Sequence, residues 1–113
     1  MSGLRKLGDD AEERAANFLI ESGFTIVTRN FSTRSGELDI VALDGELLVF
    51  VEVKLRRGSS PEEAITATKA TRLRAAAREY LQKMGESERS FRFDLVAVTP
   101  AEIRHHQNAL QTD

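Results

Sequence analysis

Two short segments carry the residues best suited to chemistry. Gly36-Glu37-Leu38-Asp39 ends in a carboxylate, and thirteen residues past Asp39 comes Glu52-Val53-Lys54, at the close of an apolar run. An acid on one strand, then an acid and a lysine two apart on the next, is a minimal set for a divalent cation beside an activated water. Carboxylates supply the hard oxygen ligands that suit Mg2+ or Mn2+. Lys54 points to the same side of a strand as Glu52. From there it can orient or deprotonate a water, or steady a phosphate oxygen.

The elements that must position these residues begin with a hairpin. Asp44-Gly45, between the apolar runs Leu38–Leu43 and Leu47–Lys54, is a strong turn signal. With those two residues at the turn, Leu43 faces Glu46, Glu37 faces Glu52, and Asp39 lies across from Phe50 and diagonal to Glu52. One face then reads Glu37, Asp39, Val41, Leu48, Phe50, Glu52 and Lys54. The other reads Leu38, Ile40, Ala42, Leu47, Val49, Val51 and Val53, has no polar residue, and is expected to lie buried under a helix. Like charges opposed across a sheet destabilise it by some tenths of a kcal/mol to about 1 kcal/mol, so the acid cluster makes sense where a cation neutralises it. A one-residue bulge would carry Asp39 to the opposite face. The plain alternative for the same residues is a solvated strand end with a weak surface ion pair.

Around the hairpin, Leu7, Ala11, Ala15, Phe18 and Leu19 form an apolar stripe in a helix from about Leu4 to Ser22, stopped by Gly23. Phe24–Phe31 is rich in β-branched and aromatic residues and reads as a strand. After a loop at Arg56–Ser60, Ser60 as N-cap, Pro61 and Glu63 mark the start of a long helix. Its buried stripe is Leu73, Ala76, Ala77, Tyr80, Leu81 and Met84, and Gly85 ends it. Phe91–Val98 alternates as a fourth strand, stopped near Pro100, with Ile103–His105 as a short edge strand. The order is αβββαβ with one further β, a single α/β domain over 1–113 with its core at about 4–100 and a tail at 106–113. A meander of three strands followed by a helical crossover makes a mixed-sheet sandwich.

An apolar fraction of 41% and a charged fraction of 30% are ordinary for a globular domain. No stretch approaches the roughly 20 apolar residues of a membrane span, and Met1–Lys6 lacks the apolar segment of a signal peptide, so a cytoplasmic location and no membrane partner are expected. The absence of cysteine excludes disulfides, thiolate zinc sites and thiol chemistry. Residues 1–53 carry 5 Lys/Arg against 10 Asp/Glu, whereas 54–92 carry 10 against 5. An acidic half with a metal-like constellation beside a basic half suits a polyanionic substrate, although Arg-rich solvated helix faces give the same asymmetry. His105-His106, near a chain end, is expected to be inert. Tyr80 and the six Phe fit the core better than a base-stacking platform.

Asp39, Glu52 and Lys54 in an αβββαβ order resemble the PD-(D/E)xK nuclease superfamily, with restriction-endonuclease-like cores. Leu38 stands where the superfamily's name has proline. More narrowly, Gly8, Ala11, Glu12, Leu19, Asn30, Gly36–Asp39, Phe50–Lys54, Arg56, Lys69 and Arg92-Phe93-Asp94 resemble the YraN-like family of small bacterial proteins. That family is similar in layout to archaeal Holliday-junction resolvases, and the likeness covers about residues 4–110. The resemblance implies a Mg2+- or Mn2+-dependent endonuclease acting on phosphodiester bonds of nucleic acid, DNA with branched structure above all, in recombination or repair. It implies that Asp39 and Glu52 hold the metal, with the Val53 carbonyl and Glu12 as further ligands, and that Lys54 positions the attacking water. Glu37 would be a supporting acid or a ligand, Arg56 and Lys69 phosphate contacts, and Asp94 a structural hydrogen-bonding residue. Resolvase-like relatives also imply a homodimer. The competing expectation is a non-catalytic nucleic-acid-binding or protein-interaction module on the same fold.

Overall fold

The computed structural model describes residues 3–56 and 65–110, with side chains from Asp10 onward. Its elements are α1 (Gly3–Glu21), β1 (Thr25–Thr33), β2 (Gly36–Asp44), β3 (Leu47–Leu55), α2 (Ala67–Lys83), β4 (Phe91–Val98) and β5 (Ile103–His106). The strands form one mixed sheet in the order β1-β2-β3-β4-β5. Only β3 and β4 run parallel, and a parallel pair needs a long crossover, here α2. The αβββαβ order with a fifth strand is the α/β single-domain architecture expected.

Each helix covers one face. Ala11, Ala15, Ala16 and Leu19 of α1 pack on Ile40, Ala42, Val49, Val51, Val96 and Val98. Three alanines on that stripe let the helix approach the sheet closely. Gly23, at φ +100, ends α1 in a backbone conformation that L side chains rarely adopt, and Phe24 N–H donates back to the Leu19 carbonyl at 2.9 Å. Leu7 lies outside the described side chains. On the opposite face Ala70, Leu73, Ala76, Ala77, Tyr80 and Leu81 of α2 cover Val41, Leu48, Phe50 and Phe93. Tyr80 stands edge-on between Phe31 and Phe50, at 5.0 and 5.6 Å. The hairpin is thus core on both sides near its turn.

Helix α2 begins at Ala67, later than the Ser60 start read from the sequence. Thr66 is its N-cap, extended at φ −65 and ψ 158, and its side chain accepts from Lys69 N–H. Ser60, Pro61 and Glu63 lie outside the described residues. Beyond β5, Ala109 N–H donates to the Phe93 carbonyl at 2.8 Å and Leu110 is buried under α2, so residues 107–110 belong to the packed structure. Among the described residues no helix is long and apolar enough to cross a membrane.

Two corrections concern the strands that carry the acids. Asp44 pairs with Leu47 and Val41 with Phe50, so the turn is Gly45-Glu46, shifted from Asp44-Gly45. Gly45 alone takes a positive φ, +63, in the pattern of a turn with Gly at its first central position. Asp44 therefore keeps strand geometry. The shift changes each opposed pair by two residues and leaves the faces of β3 unchanged. The second correction is a switch of face. Leu38 packs with Val41 under α2, while Ile40 packs under α1, where strict alternation puts Leu38 with Ile40. Strand β1 switches alongside: Arg29 reaches Glu13 of α1, whereas Phe31, two residues on, packs on Tyr80 of α2. Between them Asn30 sits at φ +54, a left-handed conformation that asparagine tolerates better than most residues. One such residue breaks the period-two pattern, and Asp39 lies at the matching break in β2.

Candidate active site

The break in β2 is where the site forms. Backbone register between β2 and β3 runs from Asp44↔Leu47 to Ile40↔Val51. Past that point the Asp39 carboxylate takes the place of the backbone partner, its Oδ2 accepting from Val53 N–H at 2.9 Å. The strands are thus held by a side chain, and a carboxylate is inserted at the end of the hairpin ladder. Glu52, one residue before Val53, is buried at 9% exposure and lies beside Asp39, whose carboxyl its charge raises. The sequence-based register had set the two acids diagonal; the true one brings them into contact.

Two carboxyl groups in contact cannot both ionise freely. The Asp39 carboxyl is pushed up to about 7, first by burial and then by the Glu52 charge. The Val53 N–H pulls it down in part, and Glu12 on α1 adds to the upward push. The Asp39 carboxyl therefore holds its proton up to near neutral pH, at a place where an oxygen-seeking cation could sit instead. Nitrogen and sulfur ligands are absent from this pair, so its donor set fits Mg2+ or Mn2+. Among the described residues no three His, Cys, Asp or Glu side chains form a preformed metal cluster. Glu12 is thus a nearby charge on a facing helix, not a third member of a tight cage. A two-carboxylate arrangement is compatible with Mg2+, which usually keeps several waters.

Basic side chains border the pair. Thr66 caps α2 so that its first turn lies over the end of β3, and Lys69 Nζ lies 3.0 Å from Glu52 Oε2. Lys69, read from the sequence as a phosphate contact, is part of the acid cluster itself. Lys54 lies two residues beyond Glu52 on the same strand face and is half-buried. Among the described residues it has neither an ion pair nor a side-chain hydrogen bond, which leaves its amine available. Arg56 N–H closes on the Val98 carbonyl at 2.8 Å, with its guanidinium 3.5 Å from the neighbouring Leu55 carbonyl. Glu37 is exposed and borders a cavity of about 50 Å³ with Lys69 and Arg72.

Two features were not read from the sequence. His105, expected to be inert at a frayed end, has its Nε2 2.8 Å from Asp94 Oδ2 and its ring edge-on to Phe18 and Phe24. Asp94, at 0% exposure, also accepts from Arg92 at 2.8 and 3.1 Å and from Asn108 N–H at 3.0 Å. Burial pushes this carboxyl up, but the His105, Arg92 and Asn108 hydrogen bonds outweigh it and hold it below the usual carboxylate range. Arg92 in turn reaches Asp44 at 3.0 Å. The second feature is Phe91, which is 38% exposed and so departs from the core role read for all six Phe. An i, i+2 strand pattern could not reveal that β4 starts at the rim of the sheet.

The class the structure defines is a mixed five-stranded sheet between two helices, with two acids and a lysine placed where two strands part. The fold is similar to that of the Holliday junction resolvase Hjc of Archaeoglobus fulgidus. That match covers 94% of this chain and 78% of that one, at a TM-score of 0.60 and 19% identity. The chain belongs to the YraN-like family, described as "Uncharacterised protein family UPF0102", whose model matches residues 11–98. A UPF0102 protein of Symbiobacterium thermophilum is 48% identical over 99 residues, 85% of this chain and 84% of that one. Another, from Desulforapulum autotrophicum, is 44% identical over 116 aligned residues, covering 96% of each.

Proposed function

We propose that this protein is a divalent-metal-dependent endonuclease that hydrolyses phosphodiester bonds in DNA, with branched recombination or repair intermediates as its substrate class. The observation that carries the reading is the contact between Asp39 and Glu52 at the parting of β2 and β3. Two carboxyls held together at the cost of a raised pKa are a poor way to stabilise a sheet and a good way to receive a cation. The basic half of the chain, concentrated in α2, supplies attraction for a polyanion. The fold likeness to an archaeal Holliday junction resolvase supports the branched-DNA class.

Asp39 and Glu52 would hold the Mg2+ or Mn2+, with the Val53 carbonyl and Glu12 as further oxygens. When bound, the ion supplies positive charge to the scissile phosphate and lowers the pKa of a water towards neutral. Lys54 would orient the attacking water and take part in its deprotonation. Lys69 and Arg56 draw phosphate oxygens towards the end of β3, and Lys69 tethers the Glu52 carboxylate while the site is open. Glu37 supports Lys69 from the rim. A symmetric pair of chains would present two such sites to a branched duplex.

The test is a panel of labelled substrates: duplex, single strand, flap, four-way junction and RNA hairpin, each with Mg2+, Mn2+ or EDTA. The reading expects metal-dependent cutting of a branched DNA and none by Lys54→Ala. A folded wild-type protein that binds the junction but leaves every substrate intact in both metals would replace it with a binding module.

A further inference from the structure

We infer that the flank of α2 facing β4 carries a subsite for one unpaired nucleotide of a DNA strand, with Phe91 as its stacking surface and Arg74 and Arg78 as its phosphate contacts. The inference rests on the nuclease reading for its choice of DNA, and on separate residues for its geometry. Arg74, Arg78, Phe91 and Phe93 line a cavity of about 250 Å³. Arg74, Asn108 and Leu110 also line a larger neighbouring hollow of about 700 Å³ that reaches Ala67 in the first turn of α2. The two hollows share Arg74, Asn108 and Leu110 and so lie side by side along one flank of the helix.

Three features make the inner end suited to a base. Phe91 is 38% exposed, yet its ring is fixed by edge-on contacts with Phe50 and Phe93, at 5.4 and 5.5 Å. A rigid, partly exposed aromatic ring can stack any base with little ordering cost. Arg74 and Arg78 are one helical turn apart and project to the same side. Neither has an ion pair or a side-chain hydrogen bond among the described residues, so both guanidiniums can serve a phosphate. The third cation at the cavity, Arg92, is engaged by Asp94 and Asp44 and acts as wall rather than ligand.

The placement relative to the acids is also informative. Phe91 pairs with Leu48, and Glu52 pairs with Leu95 in the same parallel register. Four strand residues separate them, about 13 Å at the usual rise, which is a few nucleotides of extended strand. A base-paired nucleotide keeps both its faces stacked and cannot offer one to Phe91. The subsite thus selects substrates with an unpaired stretch close to the cleavage point, such as flaps or open junction arms.

Fluorescence anisotropy in EDTA, where cutting is silent, tests this with a labelled oligo-dT, the same oligomer with abasic positions, and a blunt duplex. Phe91→Ala and Phe91→Leu should each weaken oligo-dT binding by about 5- to 100-fold, the effect of one base–aromatic stack. Both should leave abasic and duplex binding unchanged, and Phe91→Trp should bind at least as well as the wild type. Arg78→Ala should lower the slope of log affinity against log salt by about 0.7, one phosphate contact on a single strand. The Leu variant keeps apolar packing at the strand end, so a folding defect in the Ala variant would not decide the matter. Unchanged oligo-dT binding in both Phe91 variants, or equal losses for all three ligands, would overturn the subsite. If the variants lose oligo-dT while no metal-loaded protein cuts anything, the subsite stands and the nuclease reading falls; normal binding with intact cutting gives the reverse.

Discussion

Asp39 and Asp94 are two aspartates on one sheet with opposite fates. Asp94 is the more enclosed, at 0% exposure, and yet it keeps its charge the more readily. Asp39 is only half-buried, and its carboxyl is pushed up to about 7. Burial pushes both carboxyls up. What differs is the company: Asp94 is met by a guanidinium, an imidazole and a backbone N–H, whereas Asp39 is met by Glu52, with Glu12 adding to the charge. A buried carboxylate with every lone pair satisfied ties structure together, here joining β4, β5, Asn108 and, through Arg92, the end of β2. A carboxylate set against another is electrostatically incomplete, and incompleteness of that kind marks the place where a cation belongs.

If the contrast is right, substitutions at the two ends should separate activity from stability. The largest effect is expected on catalysis: Lys54→Ala or Asp39→Asn should lower metal-dependent cleavage by at least about 10²–10³-fold. Thermal melting of Asp39→Asn should be unchanged or higher at neutral pH, since the substitution removes the repulsion. At the other end, Asp94→Ala takes one of two carboxylate partners from Arg92 and leaves His105 and the Asn108 N–H without theirs, which should cost about 3–5 kcal/mol of stability, measured by urea unfolding. Any residual cleavage by that variant below its midpoint should retain the metal preference of the wild type. Equal destabilisation by Asp39→Asn and Asp94→Ala would erase the distinction between the two regions.

The same contrast has a pH signature in metal-free protein. The folded Asp39 carboxyl binds its proton up to about pH 7, while the unfolded one releases it near its ordinary value of 3.8. Its contribution is therefore full below that value and lost as pH rises towards 7, a decline on the order of 1 kcal/mol per pH unit. Asp94 has its carboxyl lowered in the folded state, so its contribution is present at neutral pH and is lost as pH falls below the ordinary carboxylate range. Urea midpoints from pH 3 to 8 should show the neutral-side decline vanish in Asp39→Asn and persist in the wild type. Mg2+ should in turn raise the wild-type melting point at pH 7.5, by the equivalent of about 3 kcal/mol at a hundredfold excess over Kd, and leave Asp39→Asn unmoved.

Much of this was legible in the chain because period-two and period-3.6 patterns are strong signals of what faces a core. The strand runs, the α1 stripe, the α2 stripe from Leu73 to Leu81 and the αβββαβ order all follow from them. The acids were legible as a cluster because a two-residue register shift preserves faces, so Glu52 and Lys54 stayed together even with the turn misplaced. Their contact was not legible: it depends on Asn30 adopting a left-handed backbone and on β2 and β3 parting at Asp39. Composition does not encode either event. Thr66 was overlooked as a helix start because Ser60-Pro61 is the stronger local signal. Asp94 was read through the family resemblance as a structural hydrogen-bonding residue, but its partners His105 and Asn108 were not legible, since they meet it through β4–β5 pairing and the return of 107–110.

The smallest expected effect would sharpen the comparison most, because it asks where the acid cluster ends. Glu12 pushes the Asp39 carboxyl upward, but less than burial or Glu52 does, and it completes no tight three-carboxylate cluster among the described residues. Substituting Glu12→Gln should therefore relieve Asp39 slightly, moving the neutral-side stability decline by a fraction of a pH unit. The Mg2+-induced rise in melting point should shrink by less than the equivalent of about tenfold in affinity, on the order of 1 kcal/mol, because Glu12 acts on Asp39 more weakly than Glu52 does. Loss of the whole Mg2+ effect, as large as in Asp39→Asn, would make Glu12 a full ligand and enlarge the electrostatically incomplete region to include α1. No change at all would confine that region to the parting of β2 and β3.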